Sequence, residues 1–329
     1  MKNKRKGMIL WLIVLLTLLI FGIALFFGAE QISFSLVKES IFNFDETDQR
    51  QQIIRMIRLP RVIGAFVVGS SFALSGALMQ GVSRNPLADS GLLGINAGAS
   101  LATALCFAFL PSATSGVVLF ASLIGSFAVT FLVFGFLKLS RIGINPVQLL
   151  LAGVSISTFF TAISQALTQL FDLGQDLAFW FVGGAANIRW QQLTWTMPLF
   201  FIATCVAFAL SKQISLVSLS DEHALSLGAH PQKIRLIVFS VVAVLAAIAV
   251  SLVGPVAFIG LMVPHVAKGI VGTNYRYLLP TVFFMGGCLV MLADLVARTI
   301  NPPFETPFGL IIAIIGVPFL LVQVRRTNG

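Results

Sequence analysis

The stretch Val256–Ala267, VAFIGLMVPHVA, decides the fold. It is apolar throughout, yet a straight helix needs roughly 20 residues to cross a bilayer's hydrocarbon core. Taken alone, it reads as a re-entrant segment. The rest of the chain argues otherwise. Nine further apolar runs lie at about 8–27, 60–81, 92–110, 116–137, 146–171, 193–211, 234–253, 277–300 and 307–324. Counting 256–267 gives ten crossings and places both termini on one side.

Charge then supports the count. With the N-terminus in the cytoplasm, fourteen of the 21 Lys and Arg fall inside, from Lys2 through Arg84 and Arg235 to Arg325 and Arg326. Five of the other seven lie in or beside the long 28–61 loop. Short loops are therefore biased inward, as the positive-inside rule requires. Dropping 256–267 would move Arg325 and Arg326 outside and spoil the pattern.

Composition leads to the same class. Hydrophobic residues make up 57% of 329 positions and charged residues only 10%. A soluble domain is nearer ~45–50% apolar and ~25% charged. The chain is an all-α polytopic membrane protein, a single transmembrane domain over 1–329. The net charge of +9 reads as membrane orientation rather than nucleic-acid binding. The run Met8–Phe27 is longer than a signal-peptide core, and FFGAEQ is a poor cleavage site. It is expected to be a retained first helix.

Catalytic signals are missing from the sequence. No GxxxxGK[ST], GxSxG or HExxH occurs. Cys106, Cys205 and Cys288 sit in separate apolar runs. His223, His230 and His265 have no metal-ligand spacing, so no metal site is expected. Asp294 is the clearest intramembrane acid, which counts against a proton relay and so against an ion-gradient-coupled secondary transporter, the alternative reading.

Several stretches remain to be explained. Gly69, Ala73 and Ala77 recur four apart on one helical face, which suits close helix packing or the wall of a path. Val82–Ser100 holds Asn85-Pro86, a turn signal, with Asp89 and Ser90 as expected helix caps. Asp294 and Arg298, four apart, can pair on one face. Arg58, Arg61 and Arg298 stand at outer helix ends where few bases belong. Snorkelling to headgroups and docking of an acidic partner both account for them. Last, Ser218–Arg235, SLSDEHALSLGAHPQKIR, is a charged island facing inside. Ser220 or Asp221 can cap a short helix and Gly228 can end it. Such a stub suits a partner's groove, although a solvated loop reads equally from the residues.

RLPRVIGAFVVGSSFALSGALMQGVSRNPLADSGLLGINAGAS, LLLAGVSIS, FWFVGG, LGAHPQKIR, GPVAFIGLMVPHVAK and LADLVAR together resemble the FecCD family. These are permease subunits of ABC importers for ferric siderophores, haem and cobalamin. The resemblance covers nearly everything beyond the first span. It implies a type II importer permease of ten helices, paired with a second, identical or paralogous permease. It also implies two cytoplasmic ATPase subunits and an extracytoplasmic substrate-binding protein, in the bacterial cytoplasmic membrane.

Glu222, Ala224 and Gly228 match the E-A-A-x-x-x-G coupling pattern of ABC permeases, with His223 in place of the first Ala. The coupling segment is expected at about 218–233, with Asp221 and Leu225 joining those three. The resemblance makes Arg58, Arg61 and Arg298 the docking points for the binding protein's acids. It places the translocation path and gate near Met79, Gln80, Asn85, Pro86, Asn145, Pro146 and Val147. Pro146 and Val147 replace small polar residues of the cobalamin importer, so the resemblance does not fix which residues form the gate. No cofactor is expected in this chain; ATP and Mg belong to the partner ATPase. LAFWFVGGAANIRW, Leu177–Trp190, looks most like permeases for ferric hydroxamates.

Overall fold

The computed structural model describes residues 2–27, 33–91, 93–139, 146–172, 182–302 and 304–327. Every regular element among them is helical. α1 is Lys2–Phe26, α2 Phe34–Phe42 and α3 Gln49–Gln52. A π-helical turn, Ile53–Arg58, leads from α3 into α4, Leu59–Ser83. Next come α5 Ile95–Phe109, α6 Ser115–Leu139, α7 Pro146–Leu170, α8 Trp190–Ala209, α9 Ser211–Val217 and α10 Asp221–Ser226. The chain closes with α11 Pro231–Val253, α12 Ile259–Val271, α13 Tyr275–Ile300 and α14 Phe308–Thr327.

Seven of these helices are long and apolar enough to cross a membrane. Three shorter apolar helices, α5, α12 and the Phe308–Gln323 part of α14, fill the remaining expected places. The 28–61 stretch, expected to be a loop, holds α2, α3 and the π-helical turn. Ser33 caps α2 by accepting from the Leu36 amide, a local signal that the apolar-run reading passed over. The run expected at 193–211 ends at Ala209 and turns into α9.

α4 is the axis of the bundle. Nearly every residue from Pro60 to Val82 is buried, because α11, α12 and α13 all pack on it. Between helices in lipid the gain comes from close van der Waals contact rather than from water exclusion. Small residues therefore decide the fit. Gly69 lies against the backbone of Gly286 on α13, and Ala73 touches the same glycine. The small-residue stripe thus packs inside the chain. Ser70 adds a hydrogen bond from its hydroxyl to the Phe283 carbonyl, 2.8 Å.

Side-chain contacts fix the direction of the central helices. At one end of the bundle, the near end, Lys6 of α1 stacks over Tyr277. Arg235 of α11 donates to the Val82 carbonyl of α4, and Lys268 of α12 to Gln80 Oε1. At the far end, Arg298 of α13 donates to the Ala24 carbonyl of α1, and Arg61 of α4 grips Asp294 of α13. So α1, α11 and α13 run from near to far, while α4 and α12 run back.

Val256–Ala267 is therefore a return pass. Its helix is short, about 20 Å for 13 residues. The approach, Pro255–Phe258, is irregular and ends in Phe258 at φ 70°. Irregular backbone at such depth is tolerated only where protein covers it. Here Val256 is buried and Phe258 packs where Gly316 of α14 leaves room.

Candidate functional site

The stretch expected to couple, 218–233, forms its own small unit at the near end. α9 turns the chain after α8, and α10 follows. The Ser220 hydroxyl accepts from the His223 amide, 3.0 Å, and so caps α10. Its C-terminus closes with the Ala229 amide donating to the Ala224 carbonyl and the Gly228 amide to that of Leu225, both 2.9 Å. Gly228 sits at φ 75°, in the left-handed conformation such a closure requires. Capping is local chemistry, which is why the sequence showed both ends.

The faces of α10 divide sharply. Ala224 is fully buried against the bundle. Glu222 is exposed, as are Leu219, Leu225 and Leu227, the last three at 71%, 56% and 66%. An apolar cluster beside a carboxylate faces away from the permease. Asp221 faces inward instead. Its Oδ1 accepts from Arg84, 2.9 Å, and from Arg235, 2.8 Å, while Oδ2 takes a second Arg235 nitrogen at 3.1 Å. Neither arginine stood out in the sequence as a partner, because one lies 137 positions away.

The far end holds the arginine cluster. Arg58, Arg61 and Arg298 are all buried, at 5–7% exposure. Arg61 forks onto Asp294, with Nε and Nη2 at 3.0 and 2.9 Å from Oδ1. Its Nη1 reaches Glu305 at 2.7 Å. The expected Asp294–Arg298 pair is only a 3.8 Å contact. Asp294 spends its hydrogen bonds on a residue from another helix.

Arg58 and Arg298 do something the sequence did not suggest. Arg58 donates to the Leu25 and Phe26 carbonyls, both at 3.0 Å, and Arg298 to Ala24 at 2.6 Å. These are the last carbonyls of α1, at the helix end that carries partial negative charge. Two guanidinium groups thus close that helix end. Neither snorkels outward.

The remaining path positions lie apart. Met79 is fully buried within α4. Gln80 donates to the Gly260 carbonyl, 3.1 Å, and accepts from Lys268, 2.7 Å. Asn85 and Pro86 form a turn at the near end, with Asn85 Oδ1 accepting from the Leu87 amide. Asn145 lies outside the described residues; α7 starts at Pro146, and the side chains of Pro146 and Val147 also lie outside them.

The expected caps differ too. α5 has Gly94 at its N-cap, and Asp89 instead accepts from the Gly91 amide at 3.3 Å. Asp89 and Asn96 line a cavity of about 520 Å³ between α5, α7 and α12. Among the described residues, no cluster of three or more His, Cys, Asp or Glu could hold a metal.

Comparison with known proteins adds to this geometry. The profile of the FecCD transport family matches residues 15–326. The iron(3+)-hydroxamate import system permease protein FhuB of Bacillus subtilis is 37% identical over 98% of this chain and 85% of its own. The hemin transport system permease protein HmuU of Yersinia pestis is also 37% identical, over 96% of this chain and 94% of its own. A solved structure, an inward-facing metal-chelate type ABC transporter, superposes with a TM-score of 0.84 at 28% identity. It covers 97% of this chain and 99% of that one.

Proposed function

Because this chain belongs to the FecCD transport family, we propose that it carries a ferric siderophore, with a hydroxamate chelate favoured, through a pair of permeases driven by partner ATPases. The chain is a multi-pass membrane permease of a bacterial ABC importer for iron chelates, siderophore or haem, and not an enzyme. Equal identity to a hydroxamate and to a hemin permease means that overall similarity does not choose the chelate.

The observation that carries the mechanism is the face of α10. A capped helix anchored through Ala224 presents Glu222, Leu225 and Leu227 to a partner at the near end. We assign it as the coupling segment, with Asp221, Glu222, Ala224, Leu225 and Gly228 forming it. The near end is then cytoplasmic. Two ATPases, each holding ATP and Mg, close on the two permeases, and that movement reaches the helices through this segment. Nucleotide states must favour different permease states for transport to be driven.

At the far end, Arg58, Arg61 and Arg298 are assigned to docking of an extracytoplasmic binding protein. Three guanidinium groups gather beside Asp294 and Glu305, and the Glu305 side chain is 41% exposed. An acidic partner would meet a cluster rich in guanidinium groups. Asn85 and Pro86, with Asn145, Pro146 and Val147, stand as the path and gate region. Met79 and Gln80 join it only if α4 moves. The exposed apolar faces of α7 and α14, among them Leu151, Phe159, Ile314 and Leu321, suit the second permease.

Uptake into vesicles tests the reading. The chain would be assembled with its neighbouring ATPase and binding protein and given labelled ferric hydroxamate, with ATP or a nonhydrolysable analogue. Hydrolysis-dependent uptake supports both mechanism and chelate. Stimulation of hydrolysis only by a binding protein loaded with haem or another chelate would discard the hydroxamate. Uptake driven by an ion gradient alone would overturn the ABC mechanism.

A further inference from the structure

We infer that Asp221 does not face the ATPase but is the positioning residue that fastens the coupling helix to two transmembrane helices at once. The inference rests on the coupling assignment of α10 made above. Its basis is a convergence of three elements on one carboxylate. Arg84, just past the end of α4, and Arg235, in the first turns of α11, both donate to Asp221 Oδ1, and Arg235 alone fills Oδ2. Arg235 also donates through Nε to the Val82 carbonyl, 3.3 Å, so the two helix ends are tied to each other as well.

The strength of any single pair is not what makes this matter. Arg84 and Asp221 are each more than a third exposed, and such pairs contribute little to stability. What the arrangement supplies is direction. A planar guanidinium gripping a carboxylate through two nitrogens fixes orientation as well as distance. Arg235, with its side chain only 12% exposed, makes that grip.

The geometry beneath Asp221 strengthens the assignment. Arg84 holds φ 54°, a left-handed conformation uncommon for a residue with a side chain. There the chain leaves α4 and enters the 84–94 segment that carries Asn85, Pro86 and Asp89. A shift of α10 is thus delivered to the end of α4, to that segment and to the start of α11 together. Ala224, one turn along on the same side, is fully buried and serves as the apolar half of the anchor. Glu222, Leu225 and Leu227 are exposed and left for the ATPase.

Asp221→Asn keeps size and hydrogen-bonding atoms but removes the charge. The test uses the complete transporter in vesicles, with whichever of ferric hydroxamate, ferric catecholate or haem the unmodified transporter carries. Asp221→Asn is expected to retain ATPase association and ATP hydrolysis, while chelate moved per ATP falls about five-fold or more, the scale of a lost coupling. Asp221→Glu should restore most of it. In an Arg84→Gln/Arg235→Gln background, Asp221→Asn should change nothing further, because residues acting as one unit are not additive.

Loss of ATPase association in Asp221→Asn would overturn the inference, since the side chain would then touch the ATPase. So would unchanged chelate per ATP, or a full extra loss in the arginine-free background. Glu222→Lys separates the two levels. If it uncouples hydrolysis while Asp221→Asn is silent, only the role of Asp221 falls. If Glu222→Lys leaves association and coupling intact, the coupling assignment of α10 falls, and this inference with it.

Discussion

Arg61 of α4 and Asp294 of α13 stand 233 positions apart in sequence and meet through two guanidinium nitrogens at 2.9–3.0 Å from one carboxylate oxygen. Asp294 is 1% exposed and Arg61 5%. The pair joins the two helices that pack most extensively in the bundle. Around it, Glu305 completes Arg61, while Arg58 and Arg298 turn to the end of α1.

Removing one partner strands the other. Arg61→Ala leaves a buried carboxylate whose nearest guanidinium is 3.8 Å away. Breaking a buried pair in this way costs roughly 3–5 kcal/mol. Glu305→Gln removes a half-exposed partner and should cost only about 0–1 kcal/mol. Thermal unfolding of the detergent-solubilised protein would rank the two. An Arg61→Ala midpoint no lower than that of Glu305→Gln would contradict this account.

The helix contact at Gly69 allows no side chain. A Cβ there runs into the Gly286 carbonyl, so relief requires the backbones to part. Gly69→Ala should destabilise by ~1–3 kcal/mol, the usual range for overpacking. Gly22, in α1, has nothing within 4 Å of such a Cβ. There Gly22→Ala should raise stability by roughly 0.5–1 kcal/mol through helix propensity. The same unfolding experiment measures both signs.

Gly228→Val forces a β-branched residue into the left-handed region, a cost of about 1–2 kcal/mol for a residue with a Cβ. The damage should stay local, because α10 packs on the bundle mainly through Ala224. We expect weaker association with the ATPase and a nearly unchanged unfolding midpoint. A bundle that unfolds early, with association intact, would separate this turn from coupling.

The arginines at the far end allow the closing of α1 and the proposed docking to be tested separately. Arg298→Ala should lower the unfolding midpoint, since the α1 carbonyl of Ala24 loses its donor. If the cluster also docks the binding protein, affinity at low salt should fall, and its salt dependence should flatten as a charge pair is lost. Titration of the binding protein onto the reconstituted permease over a range of salt reads this directly. Unchanged affinity at low salt would leave Arg298 a helix-closing residue alone.

The sequence by itself determined the class, the apolar helices and the ends of α10. Apolar runs, the Ser220 cap and the Gly228 stop are local properties. Each is settled within a few residues by hydropathy or by backbone hydrogen bonding. The short Val256–Ala267 pass was also legible, through charge placement rather than length. Family resemblance supplied the coupling pattern that local chemistry alone left open.

Only the tertiary structure decided the partners. Arg298, four residues from Asp294, was the natural neighbour along one helix, yet Arg61 takes the carboxylate. Asp221 read as a helix cap or a coupling residue, yet Arg84 and Arg235 both hold its carboxylate. α2 was missed because its apolar residues are too few to announce a span, and α3, Gln49–Gln52, has none. Local periodicity fixes which residues share a helix face. Which face meets which is set by where small residues let two backbones close, and buried charges then pair with whatever that packing brings within reach.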